Sequence, residues 1–169
     1  MRKNITFKIV VLAMLVAMNV VLSRFVSINA WNLKIGFTFV TVFIAAYLFG
    51  PLASALVAGL GDFAGAIMFP IGPYFPGFTF SAILSGLLFG LLLKHNTRTV
   101  NVVVCSLIHN LVIGLLINTY WIFVLYNKPS FWLVMSTRVL QSVVLIAVEV
   151  FTIKLLGRVL PKLIRSVNE

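Results

Sequence analysis

Six apolar runs follow one another along this 169-residue chain, and they constrain its fold more than any other feature. They are separated by charged residues, Pro and Gly, and they cover residues 9–23, 35–49, 52–69, 78–93, 100–125 and 139–160. A membrane-spanning helix takes roughly 20 apolar residues, so runs of this kind predict spanning helices. We therefore expect an all-α integral membrane protein, a six-helix bundle that forms a single domain over residues 1–169.

The composition excludes other classes of protein. Hydrophobic residues make up 62% of the chain and charged residues 9%, whereas a soluble domain carries about 25% charged residues. A soluble enzyme would need more polar surface, and a disordered chain would be poor in apolar residues.

The charge pattern predicts the orientation in the lipid bilayer. There are 13 Lys and Arg residues against 3 Asp and Glu residues, which in a soluble protein would suggest nucleic acid. Here the basic residues lie at the ends of apolar runs, so no nucleic-acid partner is expected. With six spans, nine cations share a side with both termini and four lie on the other side. The positive-inside rule then predicts that both termini are cytoplasmic.

Motifs for cofactor chemistry are missing from the sequence. It contains no Walker A pattern, no His-Glu-x-x-His motif and no Cys/His cluster, so we expect no bound nucleotide, metal or other cofactor. Neither Ser81 nor Ser85 has the turn that would pair it with His109 as a nucleophile, so no catalytic residue is assigned. Any uphill transport must draw its energy from an ion gradient or from another subunit.

Two predicted helices carry a set of residues at helical spacing: the fifth has Asn110, Gly114, Asn118 and Trp121, and the sixth has Arg138, just before its apolar run, with Gln141, Ser142 and Glu149. Each set falls on one helix face, and polar groups inside a membrane are functional candidates. Two facing stripes predict the walls of a cavity, and the alternative is mutual hydrogen bonding that only holds the helices together. The roles of Asp62 and Glu149 stay open between ion pairing, proton coupling and ligand contact.

Cations gather near the predicted outer side, where Arg24 and Arg138 lie at the outer ends of the first and sixth spans and Lys34 begins the second. The predicted outer loops contain no Asp or Glu, so these cations suit an anionic ligand, and Arg binds carboxylate in a bidentate manner. Snorkelling to lipid headgroups is the alternative.

Aromatic residues gather on the same side, namely Trp31, Tyr74, Phe75 and Trp121. A membrane belt would place Trp on both sides, so the asymmetry favours a planar ligand taken from outside. The uncharged Pro- and Gly-rich stretch 70–77 is predicted to form a stiff lid over that site.

Ala13 and Ala17 form a small-xxx-small pattern in the first run. Small residues at this spacing allow close approach of another helix. The pair lies roughly 120° around the helix from Asn19 and Ser23. One face can therefore look inward while the alanines look out toward another protein.

Taken together, these segments resemble the substrate-binding S components of energy-coupling factor (ECF) vitamin transporters, and within them the folate-specific branch. The segments that carry the resemblance are 21–25 (VLSRF), 34–37 (KIGF), 48–51 (LFGP), 61–66 (GDFAGA), 69–79 (FPIGPYFPGFT), 81–86 (SAILSG) and 118–121 (NTYW). The stretch Gly-Pro-Tyr-Phe-Pro-Gly is the most specific of them, and the alanine pattern is the least.

The resemblance implies a prokaryotic plasma-membrane protein that binds one vitamin near its outer face. It also implies association with one transmembrane coupling protein, which meets the face of Ala13 and Ala17, and with two ATP-binding subunits. Toppling of the whole S component is the movement that the family implies. The expected folate-binding residues are Arg24, Trp31, Lys34, Tyr74, Phe75, Asn110, Asn118, Trp121, Arg138 and Gln141.

Two other functions stay open at this point. An S component for pantothenate or another vitamin would share the fold. A proton-coupled secondary carrier that uses Asp62 or Glu149 would instead transport alone, without ATPases.

Overall fold

The computed structural model describes the backbone of residues 2–30, 33–126 and 130–168, and the side chains of residues 5–27, 36–125, 130–132 and 134–161. Its elements are helix α1 (Arg2–Arg24), strands β1 (Ile28–Ala30) and β2 (Leu33–Ile35), helices α2 (Thr38–Phe49), α3 (Pro51–Met68), α4 (Pro76–Leu93) and α5 (Thr99–Leu107), a π-helix (Ile108–Ile117), and helices α6 (Asn118–Tyr126) and α7 (Phe131–Asn168).

Helix α5, the π-helix and α6 follow one another without a break, so the described helices form six rods. Five of them are long and apolar enough to cross a membrane, and the sixth, α2, is a shorter apolar helix of 12 residues. This architecture matches the six-helix bundle predicted from the apolar runs.

The second run departs from its prediction. We expected a helix over residues 35–49 with Lys34 at its start, but the helix begins at Thr38 and Lys34 lies in β2, where it pairs with Asn29 of β1. The two strands pair antiparallel, with Ile28 opposite Ile35. Their pairing satisfies backbone groups that a longer helix would have satisfied within itself. The prediction that helix two starts at residue 35 was therefore wrong.

Glycines set the packing of α3. Gly50 joins α2 to α3 with a φ of 86°, a left-handed conformation that favours Gly, and Pro51 then occupies the first turn of α3. On α4, a Cβ atom at Gly86 or Gly90 would collide with the backbone of α3 at Ala55 or Pro51. These two helices therefore cross in direct backbone contact.

The main hydrophobic core lies in one half of the bundle, toward the side that holds both termini. Its fully buried members come from four helices and include Phe43, Phe89, Leu93, Val102 and Ile153. The other half, toward β1, β2 and the 70–76 connection, is hollow and contains the cavity described below.

Candidate functional site

The cavity has a volume of about 660 Å³ and is lined by residues of α1, α2, α3, α4, the π-helix, α6 and α7. Residues 71–75 of the connection between α3 and α4 also line it, and Ile71 and Tyr74 are exposed there. The mouth of the cavity therefore lies at this connection, and its floor lies against the hydrophobic core.

Helix α7 lines the cavity from mouth to floor with Arg138, Gln141, Leu145 and Glu149. At 1.5 Å per residue, the step from Arg138 to Glu149 corresponds to about 16.5 Å along the helix axis. The cavity is therefore elongated, with a cation nearer one end of the stripe and a carboxylate at the other.

The floor is a buried polar cluster around Glu149, which is 1% exposed. Its Oε2 atom lies 2.9 Å from Nδ1 of His109 and accepts a 2.8 Å hydrogen bond from Nδ2 of Asn110. The ring of Phe89 packs edge-on against His109 at 5.1 Å between centroids. The other carboxylate oxygen, Oε1, is buried, and no described residue donates a hydrogen bond to it. A buried acceptor without a partner is costly, so it suits a ligand that donates a hydrogen bond.

The π-helix brings the two neighbours His109 and Asn110 to this cluster. Its backbone bonds run five residues back, as in the bond from the amide of Asn118 to the carbonyl of Ile113. Such segments are rare and are often found at functional sites. Gly114 faces the same cavity one turn on, where the carbonyl of His109 lies 3.4 Å from the position of a Cβ atom.

Arg24 and Arg138 are the two arginines that line the cavity. Arg138 is 8% exposed, and its Nη1 donates a 3.1 Å hydrogen bond to Oγ1 of Thr119. Arg24 ends α1 and lies beside Gly65 of α3. The Nε atoms of both arginines are buried without a hydrogen-bond partner, and no described carboxylate lies within salt-bridge distance of either side chain. Uncompensated guanidinium groups at a cavity wall suit an anionic ligand.

Aromatic rings surround the mouth. Phe75 lines the cavity, and its ring centroid lies 5.5 Å from that of Trp121. Trp121 in turn donates a 3.0 Å hydrogen bond from Nε1 to Oγ of Ser81, which orients the indole. The Phe75 and Trp121 rings therefore form an ordered aromatic wall between α4 and α6.

Hydrogen bonds tie the connection over the mouth to the helices below it. Oγ1 of Thr79 donates a 2.8 Å hydrogen bond to Oδ2 of Asp62, and the Tyr74 hydroxyl lies 3.3 Å from the same Oγ1. The ring of Tyr74 also contacts that of Phe63 at 5.8 Å. Asp62 thus holds the rim in place, a contact that the sequence did not indicate.

Most of the residues selected from the sequence meet at this cavity. Its lining includes seven of the ten, namely Arg24, Tyr74, Phe75, Asn110, Asn118, Arg138 and Gln141. Trp121 is not part of the lining, although its neighbour Ile122 is. The side chain of Lys34 and the whole of Trp31 lie outside the described residues.

Other cavity residues were missed or given no binding role at the outset. His109 was considered only as a partner for a serine, and the lining also includes Asn19, Ser23, Ser81, Ser85 and Phe89. A usable signal existed, because Asn19 and Ser23, like Ser81 and Ser85, stand four residues apart and share a helix face.

Comparison with known proteins identifies relatives of the chain. Residues 7–157 match the family described as ECF transporter, substrate-specific component. The folate transporter FolT of Clostridium novyi (strain NT) is 29% identical over 143 residues, which cover 84% of this chain and 83% of that protein. The folate transporter FolT of Leuconostoc mesenteroides subsp. mesenteroides is 35% identical over 153 residues, which cover 86% and 81%.

Solved structures resemble the fold. A crystal structure of FolT bound with folic acid superposes with a TM-score of 0.82 and 28% identity, covering 89% of this chain and 90% of that one. A structure of the S component of a bacterial ECF transporter superposes with a TM-score of 0.72. The superposition covers 94% of this chain and 98% of that one. At 22% identity the second likeness concerns the fold alone.

These findings confirm three predictions made from the sequence. The chain resembles the FolT-like branch, it is a multi-span protein of the prokaryotic cell membrane, and it is a component of a transporter and not an enzyme. Because the family match extends over residues 7–157, the chain belongs to the substrate-specific components of ECF transporters.

Proposed function

We propose that this chain is the folate-binding subunit of an ATP-driven vitamin uptake transporter. It binds folate from outside the cell and delivers it together with a transmembrane coupling protein and two ATP-binding subunits. Support comes from two relatives that are named folate transporters and from the likeness to a FolT structure bound with folic acid.

The separation of charge along the cavity is the observation that carries this proposal. Folate is an elongated molecule with a pterin at one end, a benzoyl ring in the middle and a glutamate with two carboxylates at the other end. Arg24 and Arg138 lie on the mouth side of the cavity, and Glu149 lies at its floor. This order of charges favours the glutamate of folate at the mouth and the pterin at the floor.

The floor cluster fits the pterin because the aminopyrimidine edge of that ring presents adjacent N–H donors. Oε1 of Glu149 is a buried acceptor without a described partner, so it is the natural acceptor for one of them. His109 and Asn110 hold the carboxylate through its other oxygen. They keep Oε1 oriented toward the ligand without competing for it.

The mouth fits the remaining parts of folate. The ring of Phe75 offers aromatic surface for the benzoyl group, and the ring of Trp121 packs against it and remains a proposed contact. Tyr74 lies at the rim. Asn118 of α6 lines the same cavity with its Oδ1 atom buried and unpartnered by the described residues, and Gln141 of α7 also lines it. Trp31 and Lys34 remain proposed ligand contacts.

The partner role rests on α1. Asn19 and Ser23 are 3% and 4% exposed and face the cavity, whereas Ala13 and Ala17 are exposed on the outside of the helix. An exposed pair of small residues one turn apart lets a partner helix approach the backbone closely. We propose that the coupling protein docks there.

The experiment that tests the folate assignment is mass spectrometry of the small molecule that the chain retains after purification in mild detergent. Folate is expected, and added folate should bind with saturation at one molecule per chain. Retention of pantothenate or a different vitamin, with no binding of added folate, would contradict the proposal and indicate an S component of different specificity.

A further inference from the structure

Helix α7 also lines a groove on the side away from the cavity. This groove of about 510 Å³ runs between α7 and α5, and its apolar wall includes Val103, Ala147, Val150 and Phe151. Phe151 is 72% exposed and stands two residues from Glu149, which is about 200° around the helix. The groove is therefore separate from the cavity and faces outward from the bundle.

Two cations close the groove at the end nearer the C-terminus. They are Lys154 and Arg158, one helical turn apart on α7. Nζ of Lys154 donates a 2.6 Å hydrogen bond to Oγ1 of Thr99 at the start of α5, so the ammonium group is held between the two helices. Arg158 is exposed. Charged groups at one end of an apolar groove match the layout of a lipid molecule, with its headgroup beside its acyl chains.

No described carboxylate neutralises these cations. The whole chain has three acidic residues. Oδ2 of Asp62 accepts from Thr79, and Glu149 accepts from the floor cluster on the opposite face of α7. The third acid, Glu169, lies outside the described residues. The groove therefore presents positive charge to whatever occupies it.

We propose that this groove binds one anionic diacyl phospholipid from the leaflet on the side of both termini, which the positive-inside rule predicts to be cytoplasmic. The phosphate contacts Lys154 and Arg158, and an acyl chain lies along Ala147 and Phe151. Basic pockets between helices on the cytoplasmic side attract anionic headgroups, and each basic residue contributes to the affinity. The inference does not depend on which vitamin the cavity binds.

The test is native mass spectrometry of the full-length chain, titrated in detergent with phosphatidylglycerol or phosphatidylcholine that carry the same acyl chains. Phosphatidylglycerol should bind more tightly to the wild-type chain. Arg158→Gln should bind it about fivefold more weakly, since one cation is lost. Lys94→Gln is the matched control, because Lys94 is an exposed cation at the end of α4 and does not line the groove. It should retain wild-type binding of phosphatidylglycerol.

Two further measurements test whether the acyl chains contribute to binding. They distinguish a bound lipid from a free anion that the two cations alone would attract. Ala147→Phe fills the apolar wall while leaving both cations, and it should also weaken phosphatidylglycerol binding. Glycerol phosphate has a similar headgroup without acyl chains, and it should not compete. Equal affinity for the two lipids, unchanged binding in both groove variants, or full competition by glycerol phosphate would overturn the proposal. Circular dichroism of each variant verifies that the helices are intact.

Discussion

Oε2 of Glu149 lies 2.9 Å from Nδ1 of His109, although the two residues are 40 positions apart in the sequence. The contact joins α7 to the π-helix at the floor of the cavity, where Glu149 is 1% exposed. Burial of a carboxylate is costly unless its oxygens are hydrogen-bonded. Oε2 has two hydrogen-bond partners, whereas Oε1 has none among the described residues. A ligand that donates a hydrogen bond to Oε1 would remove this cost.

Replacing Glu149 with Gln should therefore weaken binding of every ligand that contains the pterin. The change keeps the shape of the side chain but removes the charge that strengthens the hydrogen bond from the ring. We expect a loss of about tenfold or more, equal for folate and for pteroate, which lacks the glutamate. Isothermal titration of both ligands measures this. A loss for folate with pteroate unaffected would place the glutamate at the floor and reverse the proposed orientation.

Arg138→Ala should give the opposite pattern of selectivity. Loss of one partner of a desolvated charge pair should weaken folate binding by about tenfold or more, whereas pteroate should lose much less. Arg98→Ala serves as the matched control, because Arg98 is exposed at the start of α5 and does not line the cavity. If folate and pteroate lose affinity equally in Arg138→Ala, then Arg138 acts structurally, through contacts such as its hydrogen bond to Thr119.

The sequence predicted much of this site because its residues are polar in a nearly uniform apolar background. Arg138, Gln141 and Glu149 stand out on one helix face without any knowledge of the fold. The sequence did not predict the contacts between helices. The partnership of Glu149 with His109 depends on how α7 packs against the π-helix, and no local pattern contains that information.

Local backbone departures were also beyond the sequence. The Gly50-Pro51 break correctly separated two helices, since Pro cannot continue a helix and Gly accepts positive φ. The strands over residues 28–30 and 33–35 were not predicted, because a three-residue strand is too short to show an alternation of apolar and polar residues. The π-helix was not predicted either. Its hydrogen bonds reach back five residues where those of an α-helix reach back four, and apart from His109 and Asn110 its residues 108–117 are apolar or Gly, as in an ordinary membrane helix.

Trp121 should report the arrival of folate. Its indole lies 5.5 Å from the ring of Phe75 between centroids, so a ligand against that wall should change its emission. We expect quenching in a variant that keeps Trp121 and carries Trp31→Phe and Trp132→Phe. A variant that keeps only Trp132, which is 71% exposed and not part of the cavity lining, should show no change. Unchanged emission from Trp121 at saturating folate would count against this wall as part of the site.

Ala13→Trp combined with Ala17→Trp should separate binding from transport. The bulky side chains would hold a partner helix away from α1, because association in lipid depends on close packing. Folate binding to the isolated chain should remain near normal, while co-purification with the coupling protein should be lost. Met14→Trp with Met18→Trp is the matched control at the same spacing, since both methionines are already large and exposed. If the alanine double variant also loses folate binding, these alanines support the fold and not an interface.

The central claim, that this chain binds folate and depends on a partner module for transport, is tested most directly by uptake of labelled folate into vesicles. One preparation holds the wild-type chain alone under an imposed proton gradient, and the other holds it with the coupling protein and both ATP-binding subunits, supplied with ATP. The account predicts accumulation only in the second preparation. Accumulation of folate by the chain alone, driven by the proton gradient, would contradict it and identify a secondary carrier.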